Sequence, residues 1–136
     1  MLGAIVGDIV GSVYEFDNHK SKDFPLFTER SHFTDDTILT IATADALLQY
    51  DWDFAGKYRE YGKKYPSSYG SSFNGWIHDD DAGPYNSYGN GSAMRVSPIG
   101  WFHNRDNLVL FHAEKSTEVT HNHPEGIKGA QAAAMV

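Results

Sequence analysis

The chain has 136 residues, a formal net charge of -7 with a pI near 5.3, and no cysteine. The length fits one domain with a buried core, and the acidic balance offers no general attraction to a phosphate backbone, so a nucleic-acid polymer is a poor partner. Without cysteine there is no disulfide, thiolate zinc site or cysteine nucleophile; any metal must be held by oxygen or imidazole, and a reducing, cytoplasmic setting is expected.

The opening M-L-G-A-I-V-G-D-I-V is apolar but has no basic start, and Asp8 interrupts it, so it does not read as a signal peptide. No segment approaches the roughly 20 apolar residues of a membrane helix, and no membrane partner is expected. Leu2, Ile5, Val6, Ile9, Val10 and Val13 recur at helical spacing and predict a buried helix, with a short buried strand as the competing reading. Gly3, Gly7 and Gly11 fall four apart and suggest close approach by another backbone or a ligand, because glycines otherwise cost helix stability. Asp8, Ser12 and Glu15, at i, i+4 and i+7, share one face, which is either solvated or a buried polar stripe.

The polar stretch Asn18 to Arg30, with Pro25, predicts a loop. A second helix starts near Thr34 and runs to about Gln49, its packed surface supplied by Ile38, Ile41, Leu48 and several alanines. Thr34, Asp35 and Asp36 at its start have two readings. They cap the free N–H groups of the first turn, or they gather a hydroxyl and two carboxylates as hard oxygen donors for Mg²⁺ or Mn²⁺. One cap is enough, which leaves the second aspartate and Glu15 surplus to that purpose.

Asp53 reads as the N-cap of a third helix carrying Phe54, Tyr58, Tyr61 and Tyr65, ended by Pro66. From Pro66 to Ser92 the chain is dense in Gly, Ser and Asn yet also carries Tyr69, Phe73, Trp76, Tyr85 and Tyr88, and it predicts a long loop packed on the body and lining a cavity. Gly89 to Arg95, G-N-G-S-A-M-R, is either a turn with Ser92 as N-cap or a Gly-rich approach presenting backbone N–H groups to a phosphate. Further helices are predicted around Ala93 to Trp101, Asp106 to Val119, and from Pro124 through the alanine-rich end. His121 and His123 flank Asn122, and alternate histidines do not share a helix face. The last residues, A-Q-A-A-A-M-V, carry no stop signal, so the final helix is expected to be interrupted in mid-element.

Four stretches in order resemble the ADP-ribosylglycohydrolase family. They are G-A-I-V-G-D-I-V-G-S-V-Y-E-F, F-T-D-D-T-I-L-T-I-A-T-A-D-A-L, G-N-G-S-A-M-R-V-S-P-I-G and T-H-N-H-P-E-G-I-K-G-A-Q-A. The resemblance implies an all-α fold with two divalent cations, Mg²⁺ or Mn²⁺, at the base of an ADP-ribose cleft. It implies an acidic residue near ribose and metal at Glu15, half of the metal-ligand set at Thr34, Asp35 and Asp36, a diphosphate approach at Gly91 and Ser92, and a ligand-contacting histidine at His121. The family's later D-x-D-T segment has no counterpart here, so the chain is expected to be the N-terminal part of such an enzyme.

On that basis Glu15 and Asp35 are the expected catalytic carboxylates, and Tyr85 and Tyr88 are expected to stack on the nucleotide or its ribose. Asp35, Asp36 and Glu15 should face one cavity. The substrate expected is an ADP-ribosylated protein or a small ADP-ribose conjugate, and the surface near Ala130 to Val136 should be apolar and suited to self-association or a C-terminal fragment. The rival readings are a non-catalytic, crystallin-like relative and a metal-dependent phosphohydrolase.

Overall fold

The structure, a computed structural model, describes residues 1–136 and is entirely helical. The helices are α1 (Leu2–Gly11), α2 (Asp35–Gln49), α3 (Phe54–Lys64), α4 (Ser71–His78), α5 (Ser97–Phe102), α6 (Asp106–Glu118) and α7 (Pro124–Ala134), with 3₁₀ turns at Ser12–Tyr14 and Ala93–Arg95. No helix is long and apolar enough to cross a membrane.

Helix α2 is the central element, packed against α1, α3, α5 and the second 3₁₀ turn. Its Leu39, Ala42, Ala46 and Leu47 form the core with Phe54 and Tyr58 of α3, Phe73, Trp76 and Ile77 of α4, and Ile99 of α5. Each large apolar side chain buried there contributes roughly 1.5–3 kcal/mol. Asp53 caps α3 as its position predicts, accepting the Gly56 N–H at 2.8 Å.

Four expectations change. Helix α1 is helical but not buried: none of its residues is fully covered, and Leu2 and Val6 stand exposed, because α2 covers only one side of it. A Cβ on Gly3, Gly7 or Gly11 would meet nothing within 4 Å, so no backbone approaches that stripe. The long central loop contains α4, whose Phe73, Trp76 and Ile77 are core residues. The helix expected from Ala93 to Trp101 is broken at Val96, since Pro98 has no N–H to continue an α-helical ladder and instead opens α5.

At the C-terminal end Ala130 and Ala134 are buried. A Cβ on Gly100 of α5 would collide with the Ala134 carbonyl oxygen, so α5 and α7 meet backbone to backbone there. The apolar surface expected at the end is therefore half covered, and Ala132, Ala133, Met135 and Val136 remain outside.

Candidate functional site

The N-terminus of α2 is held by two residues. Thr34 is its N-cap, its hydroxyl accepting the Asp36 N–H at 3.3 Å. Asp8 of α1 takes further donors: it accepts the Thr34 hydroxyl at 2.6 Å and the N–H groups of Thr34 and Thr37 at 2.8 and 3.1 Å. Ser12 ties the preceding loop to α1 by accepting the His32 N–H at 3.1 Å and donating to the Ile9 carbonyl at 2.9 Å. With the Asp36 and Thr37 N–H groups taken by Thr34 and Asp8, the two carboxylates at 35 and 36 exceed what the cap of this helix requires.

Two cavities adjoin at Asn90. The smaller, about 320 Å³, is lined only by polar residues and glycines, among them Asp8, Glu15, Thr34 and Asp36. The larger, about 400 Å³, is lined by Asp35, Phe73, Tyr85, Gly91, Arg95 and His121, among others. The two aspartates therefore do not face a single cavity with Glu15. Consecutive positions on a helix point about 100° apart, and Asp36 joins Glu15 while Asp35 opens to the neighbouring space.

Burial, reinforced by the charges of Asp36, Glu15 and Asp8, raises the Asp35 carboxyl to about 6. Asp36 is raised for the same reasons, burial first and Asp8 next. None of these carboxylates has a Lys or Arg partner in an ion pair. Negative charge gathered this way favours either protonation or a cation. The donor chemistry of Thr34, Asp35 and Asp36 fits a hard divalent ion. No three carboxylates or imidazoles converge tightly enough to form a full cage, so these residues would contribute part of a coordination shell.

The opposite wall is built from the segments 85–95 and 120–121. The Tyr85 N–H donates to the Thr120 carbonyl at 3.2 Å and the Asn86 N–H to Asn122 Oδ1 at 2.8 Å, which stitches the irregular segment after α4 to the turn before α7. The Tyr85 ring lies 5.8 Å from the His121 ring. Gly91 touches His121: a Cβ there would lie 3.0 Å from Nε2. His121 is buried, and desolvation together with the charge of Arg95 lowers it to about 4.

The side chains of Ser92 and Tyr88 have other partners in the structure. The Ser92 hydroxyl does not cap a helix; it is buried and donates to the Gly126 carbonyl at 3.2 Å, so it anchors the Gly-rich turn to α7. Tyr88 is 75 % exposed and sits 5.3 Å from the His123 ring, outside both cavities. Asn90 and Arg95 also line the cavities, and Thr120 lies behind His121; in the sequence each stands inside one of the four family-like stretches with nothing of its own to mark it.

An all-helical domain with an uncompensated carboxylate cluster beside a Gly-walled cavity is the class of structure found. The chain belongs to the ADP-ribosylglycohydrolase family, whose model matches residues 1–136. It is similar to ADP-ribosylhydrolase ARH3 of Xenopus tropicalis, 27% identical over 160 residues that cover 96% of this chain and 46% of that protein. It is also similar to ADP-ribosylhydrolase ARH3 of Mus musculus, 29% identical over 165 residues covering 96% and 45%. The chain thus spans less than half the length of these two relatives.

Proposed function

We propose that this chain forms the ADP-ribose-binding part of a metal-dependent enzyme that hydrolyses the glycosidic bond between ADP-ribose and a modified residue or small molecule. The observation that carries the reading is the junction at Asn90, with acidic oxygens on one side and a cavity walled by Tyr85, Gly91 and His121 on the other. An ADP-ribose spans such a junction with its distal ribose toward the carboxylates and its diphosphate toward the Gly-rich turn. The relatives are ADP-ribosylhydrolases by name, which supports the class of reaction.

Cleavage at the anomeric carbon develops positive charge on the ribose ring, and Asp35 at the cavity wall is suited to stabilise it. Glu15 is exposed at the edge of the smaller cavity, where it can exchange protons with water and pass one to or from the attacking water or the leaving group. Mg²⁺ or Mn²⁺, held in part by Thr34, Asp35 and Asp36, would supply Lewis-acid polarisation and orient ribose hydroxyls. Gly91 leaves room for a phosphate against backbone, and Tyr85 offers a ring face for stacking.

The test is product analysis with an ADP-ribosylated peptide in the presence of Mg²⁺ or Mn²⁺, alongside calorimetric binding of ADP-ribose. Release of free ADP-ribose supports the proposal. Release of inorganic phosphate assigns a phosphohydrolase instead, and absence of both binding and product assigns a structural relative.

A further inference from the structure

Beneath the larger cavity runs a polar chain that the proposed reaction does not use. Arg95 is fully buried and has no carboxylate partner. Its guanidinium lies 3.9 Å from the centroid of the Tyr58 ring, and Nη2 donates to the Ser116 carbonyl at 3.0 Å and to Thr120 Oγ1 at 2.9 Å. The Tyr58 hydroxyl is pinned in turn between Thr43 Oγ1 at 2.8 Å and Ser116 Oγ at 2.7 Å. A guanidinium only donates, so one lone pair of Thr120 is taken from below. That gives the next link a direction.

Thr120 Oγ1 lies 2.8 Å from His121 Nδ1. A hydroxyl has one proton and two lone pairs. If Nδ1 carried a proton, it would fill the second lone pair, and the hydroxyl's own proton would have only the less well placed Tyr85 phenol to turn to. If Nδ1 is bare, the hydroxyl donates to it and both groups are satisfied. The ring proton then sits on Nε2, which lies against Gly91 in the cavity wall and has no hydrogen-bond partner in the protein. The Tyr85 phenol is the competing acceptor, since the Thr120 hydroxyl is near enough to hold it down against the upward effect of burial; His121 Nδ1, at 2.8 Å and in hydrogen-bonding geometry, is the better placed of the two.

We infer that Arg95 and Thr120 are positioning residues that fix His121 as an Nε2–H donor aimed into the cavity, toward an acceptor oxygen of the bound diphosphate or ribose. The identity of that oxygen rests on the ADP-ribose reading; the place of the proton does not. His121 is held neutral at pH 7 by burial and by Arg95, so it serves as a hydrogen-bond donor and not as an acid. Arg95 does two things from below, filling one lone pair of Thr120 and discouraging a second positive charge on the imidazole.

Histidine-¹⁵N-labelled protein at pH 7, without ligand, reports the tautomer through its ring-nitrogen shifts. The wild type is expected to show the Nε2–H form. Thr120→Val removes the hydroxyl at similar volume and should bring in an Nδ1–H population, whereas Thr120→Ser should restore the wild-type pattern. Arg95→Lys keeps a charge but loses the fork and should also give a mixture. Tyr85→Phe removes the competing acceptor and should leave the wild-type tautomer unchanged. ADP-ribose affinity by calorimetry should fall roughly tenfold in Thr120→Val and recover in Thr120→Ser. An Nδ1–H wild type, or a tautomer that neither Thr120→Val nor Arg95→Lys moves, overturns the inference. A tautomer that behaves as stated in a protein that does not bind ADP-ribose leaves the positioning intact and defeats the functional reading; ADP-ribose binding with an Nδ1–H wild type does the reverse.

Discussion

Asp8 and Thr34, on different helices, share two hydrogen bonds, one from the Thr34 hydroxyl at 2.6 Å and one from its N–H at 2.8 Å. A third, from the Thr37 N–H, ends on the same carboxylate. Asp8→Ala removes all three and leaves donors of the first turn of α2 unpaired, so the expected destabilisation is about 2–4 kcal/mol by urea unfolding. Asp8→Asn keeps one accepting oxygen and should cost less. In both variants ADP-ribose affinity should weaken, because the turn that Asp8 fixes carries Asp35 and Asp36.

Gly91→Ala places a methyl group 3.0 Å from His121 Nε2 and 3.2 Å from Cε1. The imidazole is buried and bonded to Thr120, so it cannot give way freely. The fold should lose about 1 kcal/mol or less, while ADP-ribose affinity drops about tenfold or more. A melting curve paired with calorimetry separates the two effects.

Tyr85 and Tyr88 should part company. Tyr85→Ala takes away a half-buried ring from the cavity wall and should lower ADP-ribose affinity roughly tenfold. Tyr88→Ala, on an exposed ring, should change affinity by less than about twofold. Equal losses in the two variants would place the nucleotide outside the cavity.

The pH dependence has two opposed parts. His121 falls from 6.5 to about 4 on folding, so its contribution is fully present above pH 6.5 and is lost as the pH drops toward 4. Asp35 rises from 3.8 to about 6, so the folded state holds a proton that the unfolded chain releases, and stability from this group is lost as the pH climbs from 4 through 6. In cation-free wild type the two slopes oppose each other over that window, with the raised Asp36 adding to that of Asp35. His121→Gln should lose stability as the pH rises, and Asp35→Asn should gain it, each by about 1–2 kcal/mol across the window. At pH 7 Mg²⁺ or Mn²⁺ should raise the melting temperature of the wild type and fail to raise that of Asp35→Asn.

Gly100→Ala tests the junction of α5 and α7. The new Cβ would meet the Ala134 carbonyl, which is backbone and cannot rotate aside, so the helices must separate. The expected cost is about 1–3 kcal/mol in urea unfolding.

Much of the fold was legible because its signals are local. Asp53 with its aromatic train at Phe54 and Tyr58, and Pro124 after His123, mark helix starts that the structure reproduces. Helix α4 was hidden because it has no side-chain cap, only eight residues, and a Ser/Gly/Asn composition typical of loops; what stabilises it is the burial of Phe73, Trp76 and Ile77, chiefly against α3. The same distinction holds at the site. The acidic pair could be found from T-D-D, but the turn of helix that sends Asp35 and Asp36 into different cavities belongs to three-dimensional packing. Nothing in G-N-G-S-A-M-R marks Arg95 as buried, and only the Tyr58 ring and the Ser116 carbonyl around it show why it is inside.

The larger cavity takes Asp35 from the first third of the chain and His121 from the last tenth or so, with Tyr85 and Gly91 between. The α1–α2 clasp closes over a short stretch of chain, whereas the cavity needs loops spanning most of the molecule to shut, and their closure entropy is met only when α6 and α7 dock. The cavity is thus a late product of assembly, complete only in the native state. A ligand that recognises all of its walls has nothing to hold in a half-formed chain, so it acts as a brake on unfolding and leaves the rate of folding as it was.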